Sequence, residues 1–251
     1  MQPGHTNEQA RPDHEADRPS HLTVVLDRSG SMQAMRDDAI GGFNAFVERQ
    51  RAEPGEATLT LAQFDHEYEV VLRGVPLRDV PELTAASFQP RGQTALYDAI
   101  GRAIDDTLLD VSRVPEAQRP DVIVAILTDG EENASVELSH PALKRRIEAQ
   151  SAMGWEFVFL AANVDVARAS ARMGFRPDKS RGYDGSKEGM RRAFDMMSEE
   201  VTDSRNKKRR PPSLGGAGSA GDAGGSGDAA GPGSDPPRSQ RGSGGPPSGC
   251  L

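Results

Sequence analysis

The chain has one cysteine among its 251 residues, Cys250, a single position from the end. One thiol closes no internal disulfide, and the final Gly-Cys-Leu does not fit the four-residue prenylation pattern, so Cys250 reads as an inert exposed thiol. No apolar run approaches the length of a membrane span, and the opening Met1–Glu8 has neither the basic stretch nor the apolar core of a secretory signal. The expectation is a cytoplasmic protein with no membrane partner. Histidines are few, at positions 5, 14, 21, 66 and 140, and none falls in the loops singled out below. The Gly-x-Ser-x-Gly elbow and the P-loop lysine motif are missing, so a nucleophile would stand without a base beside it and no catalytic residue is assigned. Basic surface is also lacking: net charge is −8, and from Arg205 onward seven basic residues outnumber three acidic ones, which leaves about −12 on the rest. A body of that sign offers no face to neutralise phosphates, so nucleic acid is excluded as a partner.

What remains is enough for one α/β domain. Residues 1–19 are polar, without apolar period, and read as a disordered lead; residues 20–204 carry the fold; residues 205–251 are first basic, then rich in Gly, Pro and Ser, and bury too little to offset the entropy of ordering. Within that tail Gly216–Gly221 matches a dinucleotide fingerprint only formally, with no strand before it. The run Lys207–Arg210 fits a solvated helix end, where basic residues complement the dipole.

Leu22–Leu26 and Val122–Leu127 are continuous apolar runs rich in β-branched residues, the mark of central parallel strands covered on both faces, and Trp155–Leu160 is a third. Positions 58–63 alternate more weakly, and Tyr68–Leu72, after a turn at Asp65-His66-Glu67, supplies an antiparallel edge strand. Helical periods separate these runs: Ile40, Phe43, Phe46 and Val47; Leu96, Ile100, Ala103 and Ile104; Leu143 and Ile147; and a last helix from Ser186 that closes near Asp203. Such alternation predicts a doubly wound, mostly parallel sheet with one antiparallel edge strand and helices on both faces, Rossmann-like in topology.

The first strand ends in Asp27-Arg28-Ser29-Gly30-Ser31, a carboxylate and two hydroxyls at alternate positions. Oxygen donors around a tight turn suit a hard cation such as Mg²⁺ or Mn²⁺. Two further pieces lie downstream: Thr94, in Arg91-Gly92-Gln93-Thr94, ahead of a helical pattern, and Asp129, in Thr128-Asp129-Gly130, at the end of the second apolar strand. Singly, Asp27 fits a turn, Ser29 or Ser31 a helix N-cap, and Thr94 the cap before Ala95. Jointly they stand at strand ends, where ligands of open α/β sheets collect. Asp98, Glu131, Glu132 and Asn133 read as a solvated rim, Asp65 and His66 as turn residues without function.

In order and spacing, Asp27-x-Ser29-x-Ser31, Thr94 and Asp129 resemble the metal-ion-dependent adhesion site of von Willebrand factor type A domains, over about the middle 180 residues of the chain. The resemblance implies Ser29, Ser31 and Thr94 as direct ligands, with Asp27 and Asp129 either touching the metal or holding its waters. Neutral hydroxyl ligands leave charge on the ion, which implies a partner protein that offers an acidic side chain. Arg28, Met32 and the stretch Leu127–Asn133 are most similar to microbial intracellular members, which work in multiprotein assemblies, ATPase-containing complexes among them. Gln93 stands where many relatives have glycine. Two other functions fit the same residues: Mg²⁺-dependent phosphoryl transfer through Asp27, and a scaffold that keeps the fold without using the metal.

Overall fold

The computed structural model of the chain describes residues 18–209. The leading stretch, the Gly216–Gly221 run and Cys250 lie outside the described residues.

The apolar runs form β1 (Ser20–Asp27), β4 (Asp121–Thr128) and β5 (Glu156–Ala162), joined by β2 (Ala57–Phe64), β3 (Tyr68–Pro76) and β6 (Ser180–Tyr183) in one six-stranded sheet of order β3-β2-β1-β4-β5-β6. All pairings are parallel except β2 with β3 at the edge, as the alternation predicts. Successive strand residues face opposite ways, so β1 and β4 divide their apolar side chains between two cores. Leu22, Val24, Leu26, Ile123 and Leu127 meet α1 (Arg36–Ala52) and α5 (Lys187–Arg209). Val25, Val122, Val124 and Ile126 meet α2 (Leu96–Ser112), α3 (His140–Ala152) and α4 (Val166–Met173) on the other face. Each large side chain buried this way contributes about 1.5–3 kcal/mol relative to exposure. The sequence pattern leaves out β6, whose Ser180-Arg-Gly-Tyr183 carries little apolar content, and α4, whose two turns are too short for a helical period to stand out.

Glycine permits the closest helix contact. A Cβ at Gly42 on α1 would stand 2.2 Å from the Phe194 ring of α5. Regular helix starts at Arg36 rather than directly after Ser31, because residues Gly30–Met35 form a 3₁₀ turn. Met32 and Met35 on that turn are buried in the first core, which pins the loop following β1.

The last helix continues past Asp203 to Arg209. Arg205 is the reason: though the charge pattern groups it with the basic tail, it is 1% exposed and donates from Nη1 to Gln50 O and Oε1 at 2.8 and 2.9 Å, and from Nη2 to Gly55 O at 3.0 Å. It supplies donors for carbonyls at the C-terminal end of α1, the groups a helix leaves unsatisfied. Lys208 adds a bond to Gly154 O at 2.6 Å. No helix among the described residues is long and apolar enough to cross a membrane.

In this strand order the chain leaves β1 toward β2 and later returns to β4 on the opposite side. The loops after β1 and β4 therefore diverge from a common point above the middle of the sheet.

Candidate metal centre

Asp27 closes β1 at that point and is fully buried. Its Oδ1 accepts the Ser29 N–H at 2.6 Å, and its Oδ2 accepts the Thr128 hydroxyl at 2.5 Å. Burial pushes the Asp27 carboxyl up to about 6, with the Asp129 charge adding to the rise and the Thr128 and Ser29 hydrogen bonds opposing it. Asp129, also buried, is raised by burial against the pull of the Ser31 and Ser29 hydroxyls.

The hydroxyls complete a chain between the two carboxylates. Ser29 Oγ and Ser31 Oγ are 3.1 Å apart, and Ser31 Oγ donates to Asp129 Oδ1 at 2.7 Å. Thr94 reaches the same place from the third loop: a Cβ built on Gly130 would lie 3.6 Å from Thr94 Oγ1 and 3.9 Å from Ser31 Oγ. The five residues singled out in the sequence thus converge at the ends of β1 and β4 and the start of α2. Capping does not account for them. Ser29 precedes the 3₁₀ turn without a side-chain cap bond, the N-cap of α2 is Ala95, and the Thr94 hydroxyl forms no hydrogen bond among the described residues.

Backbone bonds hold the loops in register. Gly30 N–H donates to Gly92 O at 3.2 Å, Arg91 N–H to Arg28 O at 2.7 Å, and Ala95 N–H to Asp65 O at 2.8 Å. Gly92 takes a left-handed φ of +68°, and a Cβ there would stand 2.3 Å from His66 Nδ1. Gln93 needs no such backbone, so a side chain is accommodated at that position. His66 lies in the β2–β3 turn, yet against the 91–94 loop, so one histidine does border the site.

Asp65, set aside in the sequence as a turn residue, is the anchor of this arrangement. It is fully buried and takes the Arg28 Nε and the Arg91 Nε on Oδ2, both at 2.9 Å. Burial alone would raise it, but the Glu67 N–H and the two guanidinium groups outweigh burial and hold Asp65 below the ordinary carboxylate value. Arg28, inside the Asp27-x-Ser29 motif, is thereby turned away from Asp27 and the candidate centre, toward Asp65 and Glu69.

The loop after β4 corrects the rim expectation. Asp98 is buried and accepts the N–H groups of Val136, Glu137 and Leu138. Glu132 accepts those of Tyr97, Ala134 and Ser135, and Asn133 exchanges bonds with Thr94, its Oδ1 taking the Thr94 N–H at 2.9 Å and its own N–H reaching Thr94 O at 3.0 Å. These acids supply acceptors for loop amides rather than a solvated edge; Glu131 alone is exposed without such a bond among the described residues. Three contributors escape a sequence reading. Thr128 stands in the Thr128-Asp129-Gly130 piece but nothing in the sequence assigns its hydroxyl to Asp27, and Tyr183 donates to its carbonyl at 3.0 Å from β6. Asn163, at φ +57°, donates to Asp129 O at 2.9 Å; asparagine tolerates the left-handed backbone required there, which is the one available signal.

Two buried carboxylates and three hydroxyls meet here, and no lysine or arginine pairs with Asp27 or Asp129 among the described residues. Buried charge ordinarily has a partner, and the donor set is all oxygen, so the residues fit a hard divalent cation. A second group, Asp65, His66 and Glu67, places one donor atom each within 4.8 Å of one another. Its buried carboxylate is already neutralised by Arg28 and Arg91, which disfavours a cation there.

No protein-family model and no curated protein matches the chain. Solved structures do. The manganese-loaded TRAP protein of Plasmodium vivax aligns at TM-score 0.53 and 15% identity over 74% of each chain. Proximal thread matrix protein 1 of the mussel byssus, with a zinc-occupied MIDAS motif, aligns at 0.53 and 13% over 75% of this chain and 49% of its own. A von Willebrand factor type A protein from Catenulispora acidiphila aligns at 0.53 and 16% over 75% of this chain and 43% of its own. The chain spans under half the length of the latter two.

Proposed function

From a chain with the von Willebrand factor type A fold, we propose a metal-dependent protein–protein interaction module rather than an enzyme. In this proposal Asp27, Ser29, Ser31, Thr94 and Asp129 hold Mg²⁺ or Mn²⁺, and an acidic side chain of a partner completes the coordination. When bound, the ion supplies an electropositive open position; the residues' part is to present oxygen at fixed places. Asp27, held by the Ser29 N–H and Thr128 hydroxyl, keeps the turn closed. Ser31, exposed while Ser29 and Thr94 are buried, marks the side on which a partner arrives.

The observation that carries the proposal is the pair of buried carboxylates with no lysine or arginine partner among the described residues, linked through Ser29 and the Ser31 hydroxyl. The manganese and zinc recorded in the structural relatives are consistent with it. We place the module in the cytoplasm, within a multiprotein assembly such as an ATPase-containing complex. The test is affinity capture from lysate in Mg²⁺ and in EDTA, beside Asp27→Ala. Partners lost in both EDTA and the variant support the proposal; partners kept in all three conditions turn it into a metal-independent scaffold.

A further inference from the structure

A cleft of about 350 Å³ is lined by Gly130, which follows Asp129 of the candidate centre, and by Arg168 and Arg172 of α4. Tyr97, Phe159 and Met173 are among its lining. Gly130 is shared: the position of a Cβ on it lies within 4 Å of both Thr94 Oγ1 and Ser31 Oγ, so the cleft opens directly beside the hydroxyls of the site.

The two arginines are one helical turn apart on α4, and both are exposed. Side chains four apart share a helix face, so both guanidinium groups point the same way. Most arginines among the described residues are paired with a carboxylate, as Arg28, Arg73, Arg91, Arg102 and Arg146 are. Arg168 and Arg172 form no ion pair among the described residues, in a chain whose net charge is −8. Three acids also line the cleft. Glu132 is saturated by loop N–H donors and the Ser135 hydroxyl, and Asp165 takes the Arg168 N–H at the start of α4. Glu131 is the remaining acid, and it is exposed.

We infer that this cleft is a second anchor for the same partner: the Arg168–Arg172 pair receives a further carboxylate of an acidic segment whose first carboxylate sits at the metal. The inference rests on the metal-dependent reading of the site. Two guanidinium groups offer up to ten N–H donors in planar forks suited to carboxylate, and the half-buried Tyr97 ring supplies surface for the intervening chain. Glu131 repels acidic side chains from its own position, so the carboxylate is admitted on the α4 side. Partner choice then depends on the spacing of two acids, which a lone metal contact does not read.

Calorimetric titration with two acetylated, amidated peptides tests this: hexaglutamate, and a glycine hexapeptide with one glutamate. In Mg²⁺, hexaglutamate is expected to bind at least about tenfold tighter, the scale of one added charge-assisted contact. R168Q/R172Q should abolish that preference and leave single-glutamate binding unchanged, whereas R49Q/R145Q, which removes equal charge away from the cleft, should keep it. Equal affinity for the two peptides, a preference that survives R168Q/R172Q, or an equal loss in R49Q/R145Q overturns the second anchor. Failure of the metal reading looks different: hexaglutamate then binds equally in EDTA and to Asp27→Asn, yet still loses affinity in R168Q/R172Q.

Discussion

Thr128 Oγ1 donates to Asp27 Oδ2 at 2.5 Å, which ties the end of β4 to the end of β1 through a carboxylate that has no cationic partner among the described residues. The bond spends one hydroxyl on orientation and leaves the Ser29, Ser31 and Thr94 hydroxyls for other work. Its consequence is that charge balance at the site must come from a proton or from a bound cation.

Metal addition is therefore expected to stabilise the protein. At a free ion concentration a hundredfold above Kd the gain is about 2.7 kcal/mol. For a domain of this size that raises Tm by about 5–10 °C. Differential scanning calorimetry of wild type and Asp27→Asn, each with Mn²⁺ or EDTA, checks it. An equal Tm in all four samples removes the cation from the site.

Acidity should move the two forms in opposite directions. Because the folded carboxyl of Asp27 is raised to about 6, the metal-free protein binds a proton there that the unfolded chain, at about 4, has already lost. That contribution is fully present below about pH 4 and is lost as pH rises through 6. Asp129, also raised, adds in the same sense. Protons compete with the ion, so the Mn²⁺-induced rise in Tm should be small at pH 5 and large at pH 7.5. A rise independent of pH would mean that the ion binds elsewhere.

Removing the Asp65 carboxylate takes away the buried partner of Arg28 and leaves it only the exposed Glu69. Breaking a buried pair of this kind costs about 3–5 kcal/mol. Asp65→Ala should lower the urea midpoint accordingly without changing the slope, and should weaken metal binding, because the Arg28–Arg91 brace positions the loop that carries Thr94. Full stability in Asp65→Ala would show that Glu69 and Glu67, their remaining partners, suffice for the two arginines.

Gly92→Ala meets two obstacles at once, a φ of +68° and the His66 ring 2.3 Å from the new Cβ. A loss of about 1–3 kcal/mol is expected. His66→Ala in the same chain should relieve the steric part and leave the dihedral part. A double-mutant cycle on chemical denaturation separates them, and zero coupling would mean the ring simply swings aside.

Most of the sheet was legible, as was the gathering of the five candidate residues at its strand ends, because both follow from local pattern. A strand covered on both faces must be apolar along its whole length, and a carboxylate ending such a strand stands out. What supports the site was not legible. Arg28, Asp65 and Arg91 belong to three separate loops, and their sequence neighbourhoods announce only a motif spacer and a turn. Asp98 and Glu132 were expected at a wet edge because charge usually is, whereas Asn133 is exposed as expected and also bonds Thr94. The loop after β4 runs without regular structure, however, and its amides needed acceptors close at hand. β6 is four residues long, too short to show a period.

The Arg205 anchor has a practical corollary. Its two terminal nitrogens donate to carbonyl and amide oxygens, and no carboxylate pairs with it among the described residues, so a fall in pH does not break the attachment of α5 to α1 at this point. A chain cut after Ser204 would lose that donor. Gln50 O and Gly55 O would be left facing the gap, and trimming the protein at the point where its hydrophobic pattern stops would unfasten the first helix rather than tidy the last.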